Sequence, residues 1–212
     1  LSYTPEKDRP VRQNDTRDYR IAPNGSLELL RSLPGTADEL EKGSYTSANV
    51  HLEKSFKGTP KRRLSWDLDF AGYRQEEGRN FTSRGFTPQG ALIPGSDFRF
   101  NSTTNQRTDS YITSLDYTEP LGKGTLSFGA KGTWTRTRNT NDYDALSTIG
   151  ERHDKILFDE HVYALYADLN QPLSAKWSLR SGLRMEYTHT AGENNGRRLE
   201  NLRSYLNIFP TL

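Results

Sequence analysis

The 212-residue sequence contains no cysteine, so disulfide bonds and thiolate metal sites are excluded. It also lacks any window that approaches the roughly 18 consecutive apolar residues of a membrane-spanning helix. Any membrane insertion would therefore have to use β-strands.

An excess of charge of one sign is missing as well. The chain has 29 basic and 27 acidic residues mixed along its length, for a net charge of +2. Nucleic-acid binders carry a basic stripe, and we expect no nucleic-acid partner here. Hydrophobic residues make up only 32% of the chain, and its mean hydropathy is -0.88. Both a polar-alternating β protein and a partly disordered chain have such a composition.

Alternation of apolar and polar residues predicts seven strands. They are expected near 45–56, 64–75, 109–119, 125–138, 155–170, 177–190 and 204–212. In WSLRSGLRMEYTHT, residues 177–190, the apolar positions are Trp177, Leu179, Leu183, Met185 and Tyr187. Residues 1–44 are expected to form a loop or partial strand, with a possible short helix in LELLRSL after Ser26.

The connections between these strands alternate in length. Turns at 57–63, 119–124 and 171–176 are short and rich in Pro and Gly, whereas 76–107, 139–153 and 192–203 are longer and polar. The pattern favours an all-β fold, an antiparallel up-and-down meander of about 6–8 strands with one tight end and one elaborate end.

Strand length bears on what the apolar face contacts. The predicted strands run roughly 10 to 16 residues, compared with about five or six in soluble sandwiches. A strand that crosses a membrane needs about 9 to 11 residues. The pattern favours lipid contact. The alternative is a soluble or surface-displayed β-sheet binding module, such as an adhesin or a carbohydrate-binding domain, whose apolar faces pack on one another.

Three segments near the carboxyl terminus resemble a known family. They are EHVYALYADL at 160–169, KWSLRSGLRMEYTHTAG at 176–192 and YLNIFPTL at 205–212. Together they resemble the barrel of TonB-dependent outer-membrane receptors, and are most similar to the outer-membrane β-barrel family common in Bacteroidetes. The resemblance implies a location in the bacterial outer membrane and a barrel of about 22 strands, of which this chain would be one portion.

The same resemblance implies a function and partners. Receptors of this kind import a scarce nutrient, and the substrate would be a small molecule, a glycan or a peptide. Their plug domain and the TonB energy complex would lie outside this chain. The portion alone is expected to have no transport activity. It shows no grouping typical of an enzyme, a cofactor site or a metal site, and its four histidines are scattered.

Two sets of residues are candidates for function. In the segment 76–107, phenylalanine rings and guanidinium donors occur together, and we predict ligand contact by Arg84, Phe86, Phe98 and Arg99. The phenylalanines could equally pack the loop against itself. On the polar side of the strand at 177–190, Arg180, Arg184 and Glu186 are predicted to form lumen-facing wall and to pair with neighbouring strands or a plug.

Overall fold

A computed structural model describes residues 2–145, 150–199 and 203–212, which form one antiparallel sheet of ten strands. The strands are β1 (Ser2–Asp8), β2 (Val11–Ile21), β3 (Leu27–Phe56), β4 (Thr59–Ser83), β5 (Phe98–Leu121), β6 (Gly124–Ala145), β7 (Arg152–Pro172), β8 (Ser178–Asn194), β9 (Arg197–Arg198) and β10 (Ser204–Thr211). From β3 to β8, each strand pairs with the next along the chain. The predicted all-β antiparallel meander is confirmed. In the described ranges, no helix is long and apolar enough to cross a membrane.

β1 and β2 together form one interrupted strand beside β3. Asp8 pairs with Glu41 and Val11 with Asp38, so the register is the same on both sides of the break. Pro10 causes the break because it has no N–H to donate, although its carbonyl still accepts a hydrogen bond from the Glu39 N–H at 3.0 Å. The sheet is therefore eight strand positions wide, with the two-residue β9 paired to the end of β8.

The predicted short helix after Ser26 is wrong. LELLRSL is the start of β3, which pairs with β2 from Ile21–Leu27 onwards and continues past residue 44 to Phe56. A tight turn precedes it, in which Gly25 has a φ of 82°. Leucine, glutamate and arginine favour helices, but intrinsic helix propensity is a small effect, and the backbone pairing to β2 outweighs it.

The strands are longer and the connections shorter than the sequence predicts. β4 runs to Ser83 and β5 begins at Phe98, which leaves residues 84–97 of the predicted loop 76–107. In the predicted loops 139–153 and 192–203, residues 146–149 and 200–202 lie outside the described residues. The chain reverses at 57–58, 122–123 and 173–177 at one end of the sheet, the turn end. The connections at 22–26 and 84–97 lie at the opposite end, the loop end.

One side of the sheet, the apolar face, carries large hydrophobic side chains that remain exposed. Strand register places on this face Val50, Leu52, Trp66, Leu68, Tyr111, Leu115, Phe128, Tyr163, Leu165, Leu183, Met185 and Tyr187. The buried hydrophobic residues of the described chain are three alanines, Ala22, Ala37 and Ala164. No second layer covers the apolar face in the described ranges, so the packed sandwich of the alternative interpretation is not present there.

Aromatic rings form a row across the apolar face, on the side nearer the loop end. Phe70, Tyr111 and Trp134 are register partners on β4, β5 and β6, and we call them the aromatic row. The rings of Phe70 and Tyr111 are 5.1 Å apart, and the Trp134 indole N–H donates to the Tyr163 hydroxyl at 3.1 Å. From Leu126 to Trp134, β6 presents nine residues of apolar band, enough to cross a hydrocarbon layer.

Candidate functional site

The loop of residues 84–97 is fixed against the part of β3 that projects beyond β4. Ser32 and Phe86 exchange two backbone hydrogen bonds, at 3.0 Å and 2.8 Å. Within the loop, the Ser96 hydroxyl accepts from the Gly85 N–H at 2.9 Å and donates to the Ile93 carbonyl at 2.5 Å. These contacts give the loop a defined backbone next to β3.

A cleft of ≈ 1070 Å³ lies at the loop end, between β2, β3 and this loop. Its lining is Gln13, Asn14, Asp15, Pro34, Gly35, Thr36, Thr82, Ser83, Arg84, Phe86, Asp97, Phe98 and Arg99. All four residues that the sequence nominates for ligand contact, Arg84, Phe86, Phe98 and Arg99, therefore line one cleft.

The four nominated side chains differ in how free they are to contact a ligand. Arg84 donates from Nε to Asp97 Oδ1 at 2.7 Å, an exposed ion pair that joins the two ends of the loop. Phe98 and Arg99 are consecutive in β5, so their side chains leave opposite faces of the strand. The Phe98 ring packs 6.0 Å from Phe81. Arg99 is exposed, and it makes no ion pair within the described ranges.

The lining of the cleft includes two residues that the sequence did not nominate, Asn14 and Gly35. A Cβ at Gly35 would lie 2.5 Å from Asn14 Oδ1 and 2.6 Å from Phe81 Cζ. Gly35 thus allows the Asn14 amide and the Phe81 ring to meet over the backbone. Asn14 comes from β2, a region expected to be loop, and its sequence context carried no signal of a site.

A second ordered structure at the loop end joins β7 to the turn after β8. Asn195, at a φ of 51°, accepts from the Lys155 N–H at 2.6 Å and donates to Asp154 Oδ1 at 3.1 Å. The hydrogen bond from Asn195, with the neighbouring Arg152, holds the pKa of the Asp154 carboxyl below its ordinary value. The carboxylate therefore stays ionised next to the turn.

The predicted wall residues all lie on the polar side of the sheet, the polar face. Arg180, Arg184 and Glu186 occupy alternate positions of β8 and point away from the apolar face. Arg184 Nε donates to Glu186 Oε1 at 2.6 Å, and its guanidinium carbon lies 5.4 Å from the centre of the Tyr166 ring. Arg180 is exposed near the turn end, opposite Asn170.

The pair Arg184–Glu186 belongs to a network that crosses four strands. The Tyr166 hydroxyl on β7 donates to Asp116 Oδ1 on β5 at 2.6 Å, passing over β6 at Gly129. A Cβ at Gly129 would lie 2.6 Å from Asp116 Oδ1 and 2.7 Å from Tyr166 Cζ. The missing side chain at Gly129 is what allows the tyrosine to reach its partner.

Nearer the loop end, the polar face holds a buried carboxylate between two arginines. Glu39 is 8% exposed and pairs with Arg12 at 3.0 Å and with Arg79 at 2.5 Å. The two guanidiniums compensate the buried negative charge and tie β2, β3 and β4 together. No group of three or more metal-ligating side chains occurs in the residues that the structure describes.

The Outer membrane protein beta-barrel family matches residues 54–212, well over half of the chain. The chain belongs to this family. The resemblance found in the sequence is thereby confirmed at the family level, and the chain is located in the bacterial outer membrane. Among curated proteins, none matches the chain.

One solved structure similar to this family member is the crystal structure of the ferric yersiniabactin uptake receptor FyuA from Yersinia pestis. The identity is 12% and the TM-score 0.36, and the match covers 93% of this chain and 37% of that receptor chain. This chain therefore spans well under half of the length of that receptor.

Proposed function

We propose that this chain is part of the barrel of a TonB-dependent receptor that imports a nutrient across the outer membrane. The observation that carries the proposal is the pairing of an exposed apolar face with a cleft at the loop end of the same sheet. In outer-membrane barrels the outer surface is an apolar band edged by aromatic rings, and the interior is polar. The apolar face accordingly contacts lipid, and the polar face lines the lumen.

The position of the cleft supports a role in ligand capture outside the membrane. On β5, Phe98 at the cleft lies 13 positions before Tyr111 of the aromatic row. At about 3.3 Å per residue, the cleft lies roughly 40 Å along the strand from the edge of the apolar band. Even for a tilted strand, this distance places the cleft well beyond the lipid headgroups.

The lining of the cleft suits a polar ligand with some apolar surface. Asn14 and Thr36 offer an amide and a hydroxyl group, and Phe86 offers an aromatic side chain. The exposed Arg99 guanidinium would bind a carboxylate or a similar anionic group. A small molecule, a glycan or a peptide could each use these contacts.

The wall residues on the polar face have a proposed role on the lumen side, as a contact surface for a plug domain. The network of Asp116, Tyr166, Arg184 and Glu186 gives the polar face fixed charges, which suit contact with a plug domain supplied elsewhere in the protein. The plug would pass the pull of the TonB energy complex to the ligand. None of these groups is arranged for catalysis, and we propose a transport role without enzyme activity.

The test is nutrient uptake in a strain that lacks the gene for the whole protein. Siderophore-bound iron, cobalamin, glycans and peptides are supplied in turn as the limiting nutrient. We expect one class to depend on the gene, with a raised KM in a Phe86→Ala/Arg99→Ala variant. Leu92→Ala is the matched control, because Leu92 is exposed in the same loop but does not line the cleft.

Energy coupling provides the second readout of the same experiment. Collapse of the inner-membrane proton gradient should abolish the uptake that depends on the gene. If no nutrient class depends on the gene, or if uptake survives without the gradient, the proposal is wrong.

A further inference from the structure

Three arginines stand side by side on the apolar face, beyond the aromatic row. Arg74, Arg107 and Arg138 are register partners on β4, β5 and β6, and we call them the arginine row. Directly opposed side chains of neighbouring strands are only about 5 Å apart at Cβ, and like charges in these positions destabilise a sheet. An anion bound against the row would offset this repulsion.

Local carboxylates compensate only part of this charge. Arg107 is held by Asp109, with Nε and Oδ2 2.6 Å apart. No ion pair is present for Arg74 or Arg138 among the residues described. Arg136 lies between the arginine row and the aromatic row. Its charge is compensated, because it makes two hydrogen bonds to Asp159.

A groove of ≈ 620 Å³ runs along the arginine row. Its basic lining residues are Lys7, Lys42, Arg74, Arg107 and Arg138, and its acidic lining residues are Glu6 and Glu76. Five positive and two negative charges leave an excess of three. Lys42 pairs with Glu76 at 3.1 Å and Arg107 with Asp109, so Lys7, Arg74 and Arg138 are the groove cations that make no ion pair among the residues described.

The height of the arginine row on the sheet indicates which anion fits. Each of its members lies four residues beyond a member of the aromatic row, towards the loop end. Four residues correspond to about 13 Å along a strand. Aromatic rings mark the border between hydrocarbon and headgroups, so the arginine row lies at the level of the headgroups.

We propose that the arginine row, with Lys7, binds the phosphate groups of a phosphorylated glycolipid in the outward-facing leaflet. Guanidinium groups bind phosphate through paired N–H donors, and three in register match a headgroup with more than one phosphate. The apolar band below the row would receive the acyl chains, which favours a lipid over a soluble anion. The inference rests on the proposed lipid contact of the apolar face and on the outward orientation of the loop end, and not on the imported nutrient.

The experiment measures lipid retention by the whole purified protein in detergent, using native mass spectrometry. The probes are a bisphosphorylated glycolipid and the same lipid after enzymatic dephosphorylation. For each arginine changed to glutamine we expect a roughly fivefold weaker affinity for the phosphorylated lipid, and roughly 100-fold for Arg74→Gln/Arg107→Gln/Arg138→Gln. The dephosphorylated lipid should bind weakly and equally to all variants.

The control removes the same amount of charge elsewhere. Arg197, Arg198 and Arg203 are exposed near β9 and before β10, and their triple change to glutamine should leave lipid affinity unchanged. If the triple variant of the row does not fold, Arg74→Gln and Arg138→Gln are measured singly.

Several outcomes would overturn the inference. They are equal binding of the two lipids, an equal loss in the control variant, and displacement of the lipid by an equimolar amount of inorganic phosphate. Nutrient uptake is measured separately. If the unchanged protein imports the nutrient but does not bind the phosphorylated lipid, this inference alone fails. If it binds the lipid but no nutrient uptake depends on the gene, the proposed function alone fails.

Discussion

At the scale of single residues, Gly129 controls the network on the polar face. A Cβ there would lie 2.6 Å from Asp116 Oδ1 and 2.7 Å from both the Leu115 carbonyl and Tyr166 Cζ. We predict that Gly129→Ala lowers the free energy of unfolding by about 1–3 kcal/mol, because the tyrosine ring must leave its partner. The change in the free energy of unfolding is measured by titrating the whole protein in detergent with urea and recording its tryptophan fluorescence.

Gly78→Ala is the matched control for this change. A Cβ at Gly78 would make only an ordinary contact, 3.7 Å from Leu40 Cβ, and its stability should change little. Removing the ring with Tyr166→Ala should make Gly129→Ala less costly, since one of the close contacts is then gone. Equal destabilisation by the two glycine changes would contradict the role given to Gly129.

At the scale of elements, the contact between β3 and the loop 84–97 is made by backbone atoms. Ser32→Pro removes the N–H that donates to the Phe86 carbonyl, whereas Ser32→Ala leaves both backbone hydrogen bonds in place. We predict that the proline variant opens the loop and speeds tryptic cleavage after Arg84 tenfold or more, because cleavage follows the open population. The alanine variant should be cleaved at the wild-type rate, and faster cleavage there would show that the contact depends on the hydroxyl.

The elements also show where sequence patterns stop being informative. Alternation located 64–75 and 125–138 because one side of these segments meets an apolar environment, and both lie within longer strands, β4 and β6. Beyond the apolar band the same strands are polar on both sides, so residues 76–83 carry no alternating signal although their backbone remains paired. LELLRSL has helix-favouring residues, and only its partner β2 makes it a strand.

One half of the cleft could be predicted from the sequence, and the other half could not. Phenylalanine next to arginine in a long polar segment was enough to nominate Arg84, Phe86, Phe98 and Arg99, because these side chains bind ligands in many proteins. The contribution of Asn14 and Gly35 depends on the pairing of β2 with β3. β2 and this part of β3 form a hairpin whose residues do not alternate between apolar and polar, so their pairing leaves no mark in local composition and this half of the cleft could not be predicted from the sequence.

At the scale of the whole molecule, the sheet has two unlike ends and two unlike faces. Its apolar face is not covered by any of the described residues, and the three alanines buried in the described chain do not amount to a hydrophobic core. Lipid is the environment that satisfies such a face, since contact with water would leave the large side chains of β4 to β8 hydrated. The direction in which the sheet crosses the membrane then decides which end meets the ligand.

We predict that the loop end faces the outside of the cell and the turn end the periplasm, because outer-membrane barrels have short periplasmic turns and longer outer loops. The chain has no cysteine, so a single one can be introduced at exposed Gln89 in the loop or at exposed Lys123 in a turn. Each cysteine is introduced into the whole protein, from which any other cysteines have been removed. A membrane-impermeant maleimide added to intact cells should label Gln89→Cys and spare Lys123→Cys. Both should react equally after the outer membrane is opened. Labelling of Lys123→Cys alone in intact cells would reverse the orientation, and it would place the cleft on the periplasmic side, where it could not capture an external nutrient.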